Sequence, residues 1–242
     1  MPRFFVPDLP ETAGPAALPA QAAHHAIRVL RLEPGDRVEL FDGSGREWPA
    51  TIAAVTRQTV MVDCAAPEAV SRESRLRITL LQGISSGDRM DYTLQKAVEL
   101  GVTRIVPLAC ERSVVRLSGE RADKRRQHWQ QLVVSACEQC RRNVVPEVSA
   151  VADFGQAVAS MAGSTGFLMD PRAPASLRDM PPPAGEVVLL AGPEGGFTTV
   201  EENVAQKAGF VPVRFGPRIL RTETAAVAAV SIMQAMWGDL LD

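Results

Sequence analysis

The chain carries little of the usual apparatus of metal, redox or acid–base chemistry. Three histidines, four cysteines and one tyrosine occur in 242 residues. His24 and His25 lie near the N-terminus and His128 stands alone, with no H-E-x-x-H and no obvious placement as a catalytic base. Cys137 and Cys140 form a C-x-x-C, but no second pair supplies the other ligands of a structural zinc site. Trp129, Leu132, Val133, Ala136, Cys137 and Cys140 recur at the spacing of one helical stripe, so both thiols read as core packing. There is no G-x-x-x-x-G-K-[ST], no G-x-G-x-x-G after a strand and no G-x-S-x-G. Nucleotide-hydrolysing, dinucleotide-dependent and serine-hydrolase readings lose their usual marks. No stretch of about 18 residues is continuously apolar, and no apolar segment precedes Asp8 and Glu11. The expectation is a cytoplasmic protein with no membrane partner and no metal.

Charge is present but unevenly spread. Lys and Arg number 6 against 9 Asp and Glu in residues 1–71, 14 against 8 in 72–146, and 6 against 11 in 147–242. The middle third is therefore basic inside a chain of net charge −2. A polyanionic partner and a merely solvated helix face both account for that.

Residues 1–70 read as a small β-rich module. Val38 and Leu40 alternate with polar residues, Asp42-Gly43-Ser44-Gly45 is a turn cluster, and short strands follow at Trp48–Val55 and Thr59–Val62. A short helical pattern lies between Gln21 and Leu32. The stretch from Ala65 to Ser74 reads as a linker. From Leu76 onward strands and helices alternate, which predicts a parallel α/β sheet over about 75–242. Strands are expected at Leu76–Gln82, Arg104–Leu108, Gly166–Asp170, Val187–Ala191 and Val211–Phe215. Helices are expected at Asp88–Leu100, Asp123–Arg142 and Thr199–Ala208, the last opened by a Thr198/Glu201 capping box. A final helix, Ala225–Trp237, is apolar almost all round, and a second subunit is expected over the flank its own domain leaves open.

Two loops stand out. Ala191-Gly-Pro-Glu-Gly-Gly-Phe197 and Phe215-Gly-Pro-Arg-Ile-Leu-Arg-Thr-Glu-Thr-Ala225 each follow an apolar strand and lead into a helix. Loops poor in side chains, at the ends of parallel strands, bring backbone groups against a ligand. The pair is read as two walls of one cofactor pocket.

These loops resemble those of the RsmE family. So do Leu94-Gln-Lys-Ala-Val-Glu-Leu-Gly-Val102, Glu111-Arg-Ser113, Cys137-Glu-Gln-Cys-Arg-Arg-Asn143, Asp170-Pro-Arg-Ala173 and His25-Ala-Ile-Arg-Val-Leu-Arg31, in the family's order along nearly the whole chain. The resemblance implies an N-terminal PUA-like β-barrel (1–70, RNA-binding). It implies a SPOUT α/β domain (75–242) with a C-terminal trefoil knot, working as a homodimer. It implies methylation of N3 of one uridine in 16S ribosomal RNA, with S-adenosyl-L-methionine as donor and the RNA or the assembled small subunit as partner. It carries donor binding onto Leu168, Met169, Gly192, Pro193, Glu194, Gly195, Gly196, Gly216, Ile219, Leu220 and Arg221. Asp170 departs from the pattern, since many relatives have His there.

Removing the N3 proton calls for a carboxylate or for an arginine that stabilises the uracil anion. Arg221 and Glu223 are the candidates for shaping the transfer pocket. Glu223 at a helix start also fits a role against the helix dipole, and Arg221 also fits an internal ion pair. RNA contacts are expected from Arg112, Arg116, Lys124, Arg125, Arg126, Arg141, Arg142 and Asn143, with Arg3, Arg28 and Arg31 from the first module. Two other readings stand beside this one: a SPOUT methyltransferase acting on another RNA, and a non-catalytic RNA-binding assembly factor.

Overall fold

Alternation around one turn builds the first sheet. In the computed structural model, which describes all 242 residues, Asp42–Gly45 reverses the chain between two antiparallel strands, and the Ser44 amide donates to Asp42 Oδ1 at 2.8 Å. The chain divides into two units, Met1–Glu73 with Cys137–Val145, and Ser74–Ala136 with Pro146–Asp242. The return of 137–145 to the first unit has no counterpart in the linear reading.

The first unit holds β1 (Arg3–Phe5), β2 (Gly14–Ala17), α1 (Ala20–His25), a π-helical turn over Ala26–Leu30, β3 (Arg37–Phe41), β4 (Arg46–Val55), β5 (Val60–Cys64) and β6 (Glu68–Ala69). The strand order is β1-β3-β4-β5-β2, with β6 on β4, and only the β1–β3 pair is parallel. The strands β3, β4 and β5 were legible from alternation. The strands β1 and β2 were not, being three and four residues long with Gly14 and Pro15 in the second. Phe4, Val38, Leu40, Trp48, Ile52 and Val62 fill the core. Trp48 donates its indole N–H to the Pro10 carbonyl at 3.0 Å.

A buried ionic cluster joins residues 137–145 to this sheet. Glu39 pairs with Arg3 at 2.6 Å and with Arg141 at 2.9 Å, and Glu47 pairs with Arg72 at 2.7 Å. Arg142 pairs with Glu73. The Asn143 carboxamide accepts from Arg3 and donates to Glu47 at 3.0 Å and to the Val70 carbonyl at 2.8 Å. Arg3, Arg142 and Asn143 are 6%, 3% and 1% exposed. The expectation that these three face RNA is corrected here, because their polar groups are spent on partners inside the unit. The acidic first third supplies the counter-charges for part of the basic middle third. Cys137 is buried, its thiol pushed up to about 12 chiefly by that burial. Its place in the stripe is core packing.

The second unit is a parallel sheet with helices. In chain order it has β7 (Ile78–Gly83), α2 (Gly87–Glu99), β8 (Arg104–Ala109), α3 (Gly119–Cys140, whose last turn counts with the first unit), β9 (Glu147–Val148), β10 (Ala152–Asp153), α4 (Phe154–Ser160), β11 (Thr165–Met169), β12 (Val187–Ala191), α5 (Thr199–Lys207), β13 (Val211–Val213) and α6 (Thr222–Trp237). The order is β10-β8-β7-β12-β11-β13, with β9 on β8, and every pairing is parallel. Every residue of β7 and β12 is buried, as expected of strands covered on both faces. The Thr198/Glu201 capping box of α5 is present in both directions. The helix α4 went unread, although Asp153 caps it and Phe154, Ala157 and Val158 form its buried face. Since β11 lies between β12 and β13, the two Gly-Pro corners flank the end of β11 on one sheet edge.

Replacing Asn143 with Ala is expected to lower stability to urea by about 2–3 kcal/mol at neutral pH, by leaving Arg3 and Glu47 short of a buried partner. Burial alone would raise the Glu47 pKa, but hydrogen bonds from Arg72 and Asn143 hold it below its ordinary value. Its contribution is therefore full above the ordinary carboxylate range and is lost as pH falls through the depressed value. In the variant, acid unfolding is expected to begin at higher pH, as read by circular dichroism along a pH titration.

Candidate active site

The ends of β11, β12 and β13 and the first turn of α6 enclose a cavity of about 560 Å³, a size suited to a small-molecule ligand. Met169 and Asp170 form its floor between the two corners. Gly192, Pro193, Glu194, Gly195, Gly196 and Phe197 form one side, and Phe215, Arg218, Ile219, Leu220 and Arg221 the other. Thr222 and Glu223 close the helix end, and Arg89 and Arg112 also line the space.

The first corner sits against the end of β7 because backbone meets backbone. A Cβ on Gly83, at the end of β7, would lie 2.5 Å from Pro193 Cδ and 2.6 Å from its nitrogen. At Gly196, φ is +65°, which few side-chain-bearing residues adopt.

Three polar ties then fix the loops. Thr222 donates its hydroxyl to the Gly192 carbonyl at 2.6 Å. The Gln82 carboxamide, fully buried, reaches the Gly83 carbonyl at 3.0 Å, Thr222 Oγ1 at 3.3 Å and the Gly192 carbonyl at 3.4 Å. Glu194 accepts from the Ser86 amide and hydroxyl at 2.8 Å each and from Arg89 at 3.2 Å. Burial pushes the Glu194 pKa up, yet these hydrogen bonds win and hold its carboxyl below the ordinary range. Glu194 is thus an ionised latch and a weak base.

Arg112, also in the lining, donates to the Phe197 carbonyl at 3.1 Å and the Gly195 carbonyl at 3.4 Å. Asp170 is paired at 3.0 Å with Arg172, which also reaches Glu202 on α5. Two carboxylate oxygens in the wall, Glu194 Oε2 and Glu223 Oε2, are buried without a hydrogen-bond partner. An uncompensated carboxylate oxygen in a cavity suits a ligand that brings positive charge or donors.

Of the residues expected to hold a donor, Met169, Gly192, Pro193, Glu194, Gly195, Gly196, Ile219, Leu220 and Arg221 line the cavity, as does Glu223. Leu168 does not, being fully buried in the sheet core. Gly216 is exposed and outside the lining, where Phe215 and Arg218 stand instead. Of the residues expected at RNA, Arg112 is at the cavity, Arg116, Lys124, Arg28 and Arg31 are exposed, and Arg125 and Arg126 are half-buried. Arg141 is exposed and paired with Glu39. Gln82, Arg89 and Thr222 were missed as site residues. A glutamine ending an otherwise apolar strand was the available signal for the first. Arg89 had none, because its partner is 105 residues away.

Known proteins match along the whole chain. Residues 72–234 match a family described as RNA methyltransferase domain, and residues 18–62 one described as RNA methyltransferase PUA domain. The ribosomal RNA small subunit methyltransferase E of Buchnera aphidicola subsp. Schizaphis graminum is 32% identical over 99% of this chain and 98% of its own. The crystal structure of a ribosomal RNA small subunit methyltransferase E from Neisseria gonorrhoeae, bound to S-adenosyl methionine, is similar with a TM-score of 0.92 and 43% identity, covering 99% of each chain. A putative methyltransferase from Legionella pneumophila, in complex with bound SAM, has a TM-score of 0.95 and 39% identity over 98% of each chain.

Thr222→Val is expected to lower the unfolding free energy by about 1–3 kcal/mol, since Gly192 and Gln82 lose a buried partner. Thr222→Ser, which keeps the hydroxyl, is expected to recover most of it. Urea titrations of the two variants beside the parent check this.

Proposed function

The chain belongs to the ribosomal RNA small subunit methyltransferase E family, and on that premise we propose that it methylates N3 of one uridine in 16S ribosomal RNA, using S-adenosylmethionine. The observation that carries this reading is the cavity itself: two Gly-Pro corners tied by Thr222, with two unpartnered carboxylate oxygens and an arginine-bearing wall. The donor would be held by Met169, Gly192, Glu194, Gly195, Gly196, Ile219, Leu220 and Arg221. It would supply the methyl group as an electrophilic sulfonium, whose positive charge suits the unpaired Glu194 oxygen.

The chain's own residues orient the uracil and move its proton. N3 would gain the methyl carbon as the sulfur–methyl bond breaks and a neutral thioether leaves, and it loses its hydrogen. Glu223 takes that proton at Oε2, the oxygen with no partner in the cavity wall. Arg221, exposed beside it, meets the uracil carbonyl where negative charge collects as N3 is deprotonated. Glu194 is unsuited to the task because Ser86 and Arg89 hold it ionised. Positioning of N3 in line with the methyl group supplies much of the acceleration.

The fold carries the rest of the proposal. A PUA-like barrel grips RNA, and the last strands of the α/β domain form a trefoil knot around the donor. A second copy covers α6, where Ile232 and Met236 are 40% and 41% exposed on an otherwise apolar helix. The work is done in the cytoplasm, on the RNA or on the assembled subunit.

Incubation of the protein with isotope-labelled S-adenosylmethionine and small subunits lacking the modification, followed by nucleoside mass spectrometry, is expected to give N3-methyluridine. Label in another nucleoside, or in large-subunit or transfer RNA alone, would contradict the reading. Glu223→Gln is expected to slow single-turnover methylation by roughly 10²–10⁴-fold. Its donor affinity should stay within a few-fold by calorimetry. RNA affinity is expected to fall steeply with salt, as read by filter binding across a salt series.

A further inference from the structure

A second cavity of about 490 Å³ lies in the same unit, and nothing in the reaction above uses it. Its apolar walls are Leu117, Phe154, Val200 and Val204. Ser113 also lines it and is 7% exposed, and its hydroxyl is buried with no hydrogen-bond partner. A hydroxyl withdrawn from water and left unmatched is unfavourable unless something completes it. Two carboxylates of this wall are already engaged, and a third, that of Glu111, is exposed. Glu201 caps α5 and accepts from the Glu111 amide at 2.9 Å, and Asp153 accepts from the Gln156 amide at 3.1 Å. The Cys110 thiol is pushed up to about 12, first by burial and then by the Glu201 carboxylate. It stays neutral and is no nucleophile.

The two cavities share a wall. Arg112 lines the first, while its neighbours Glu111 and Ser113 line the second. Phe197 lines the first and Phe154 the second, with ring centroids 5.4 Å apart. Arg116 stands at the second cavity and donates to the Glu111 carbonyl at 3.2 Å. The segment from Arg112 to Arg126 carries six Lys and Arg against two acidic residues. Apolar walls and one hydroxyl without a partner match the face and edge of an unpaired nucleobase, and the carboxylates of Glu111, Asp153 and Glu201 in the lining leave its phosphates to Arg112 and Arg116 at the border.

We infer that this second cavity holds an unpaired base of the same RNA strand, a near neighbour of the target uridine, and so sets which uridine enters the first cavity. This rests on the proposed RNA methylation. The neighbouring base packs between Phe154 and the valines of α5, and its edge meets Ser113 Oγ. The phosphate on the way passes Arg112 and Arg116. Seating the base fixes the segment that Arg112 ties to the Gly195 and Phe197 carbonyls, so register is read where the donor loop is held.

The test uses small subunits reconstituted with ribosomal RNA carrying one abasic nucleotide at each of several positions on either side of the target. For the parent protein, kcat/KM is expected to fall roughly tenfold at one flanking position, the loss of one stacked base. Gly155→Leu fills the cavity from its rim; an added Cβ there meets only Asp153 Oδ1, at 3.4 Å. This variant is expected to lose about as much on intact RNA and nothing further on that abasic RNA. Ser113→Ala, which removes the hydroxyl and little else, is expected to lose a few-fold on intact RNA only.

Equal rates on every abasic RNA would overturn the inference, as would a Gly155→Leu loss identical on all substrates. A Gly155→Leu protein with weakened S-adenosylmethionine binding by calorimetry would also overturn it, because the effect would then pass through the donor loop. In each of those cases the parent still methylates, and the proposed function stands. A parent that methylates no RNA would remove the function and this inference together.

Discussion

The hydrogen bond from Thr222 to the Gly192 carbonyl, 2.6 Å long, is the constraint on which the site depends. The two loops leave strands that are not neighbours, since β11 separates β12 from β13. Sheet pairing alone therefore leaves their far ends free to part. Thr222 stands at the start of α6 and fastens that helix to the first loop, while the buried Gln82 binds both from β7. Gly83 permits the approach, because any side chain there would occupy the place of Pro193. A fourth strand, β7, thus holds in place a pocket whose sequence signature lies in the two loops alone.

Charge is used in two opposite ways in this chain. Arg3, Arg141 and Arg142 meet Glu39 and Glu73 within the first unit, where burial makes an unpaired ion expensive and a paired one a structural fixture. Arg89 and Arg112 do comparable work around the cavity, tying the first loop from two sides. Arg218 and Arg221 differ, since both stay exposed in the cavity lining. Arginines of the first kind shape the protein, and those of the second kind are left for a ligand. Residue type and local net charge do not separate them. The separation comes from where Glu39, Glu47 and Glu73 fall in three dimensions.

The same limit explains what was legible in the sequence. Buried parallel strands read clearly: Val187–Ala191 has the same bounds in the structure as its apolar run predicts. The α5 capping box and the helix expected over Asp88–Leu100, found at Gly87–Glu99, were equally plain, because local spacing determines them. Short edge elements such as β1, β2 and β10 carry too few residues to show a period. The cavity-lining residues of the two corners were legible as one contiguous motif each. Leu168 was drawn into that set by its neighbour Met169, but alternation along β11 turns it to the core. The Asn143 cluster, the Glu194 latch and the Ser113 cavity each depend on partners far apart in the chain, and no single-sequence period reports them.

The central claim is that the two corners act as one holder for a methyl donor, locked by Thr222. A crystal structure of the protein with S-adenosylmethionine tests it most directly. The account predicts the donor in the cavity, in contact with both Gly192–Gly196 and Ile219–Arg221, while the Thr222 hydroxyl keeps its bond to Gly192. A donor bound elsewhere, or held by one corner with the Thr222 bond broken, would contradict it.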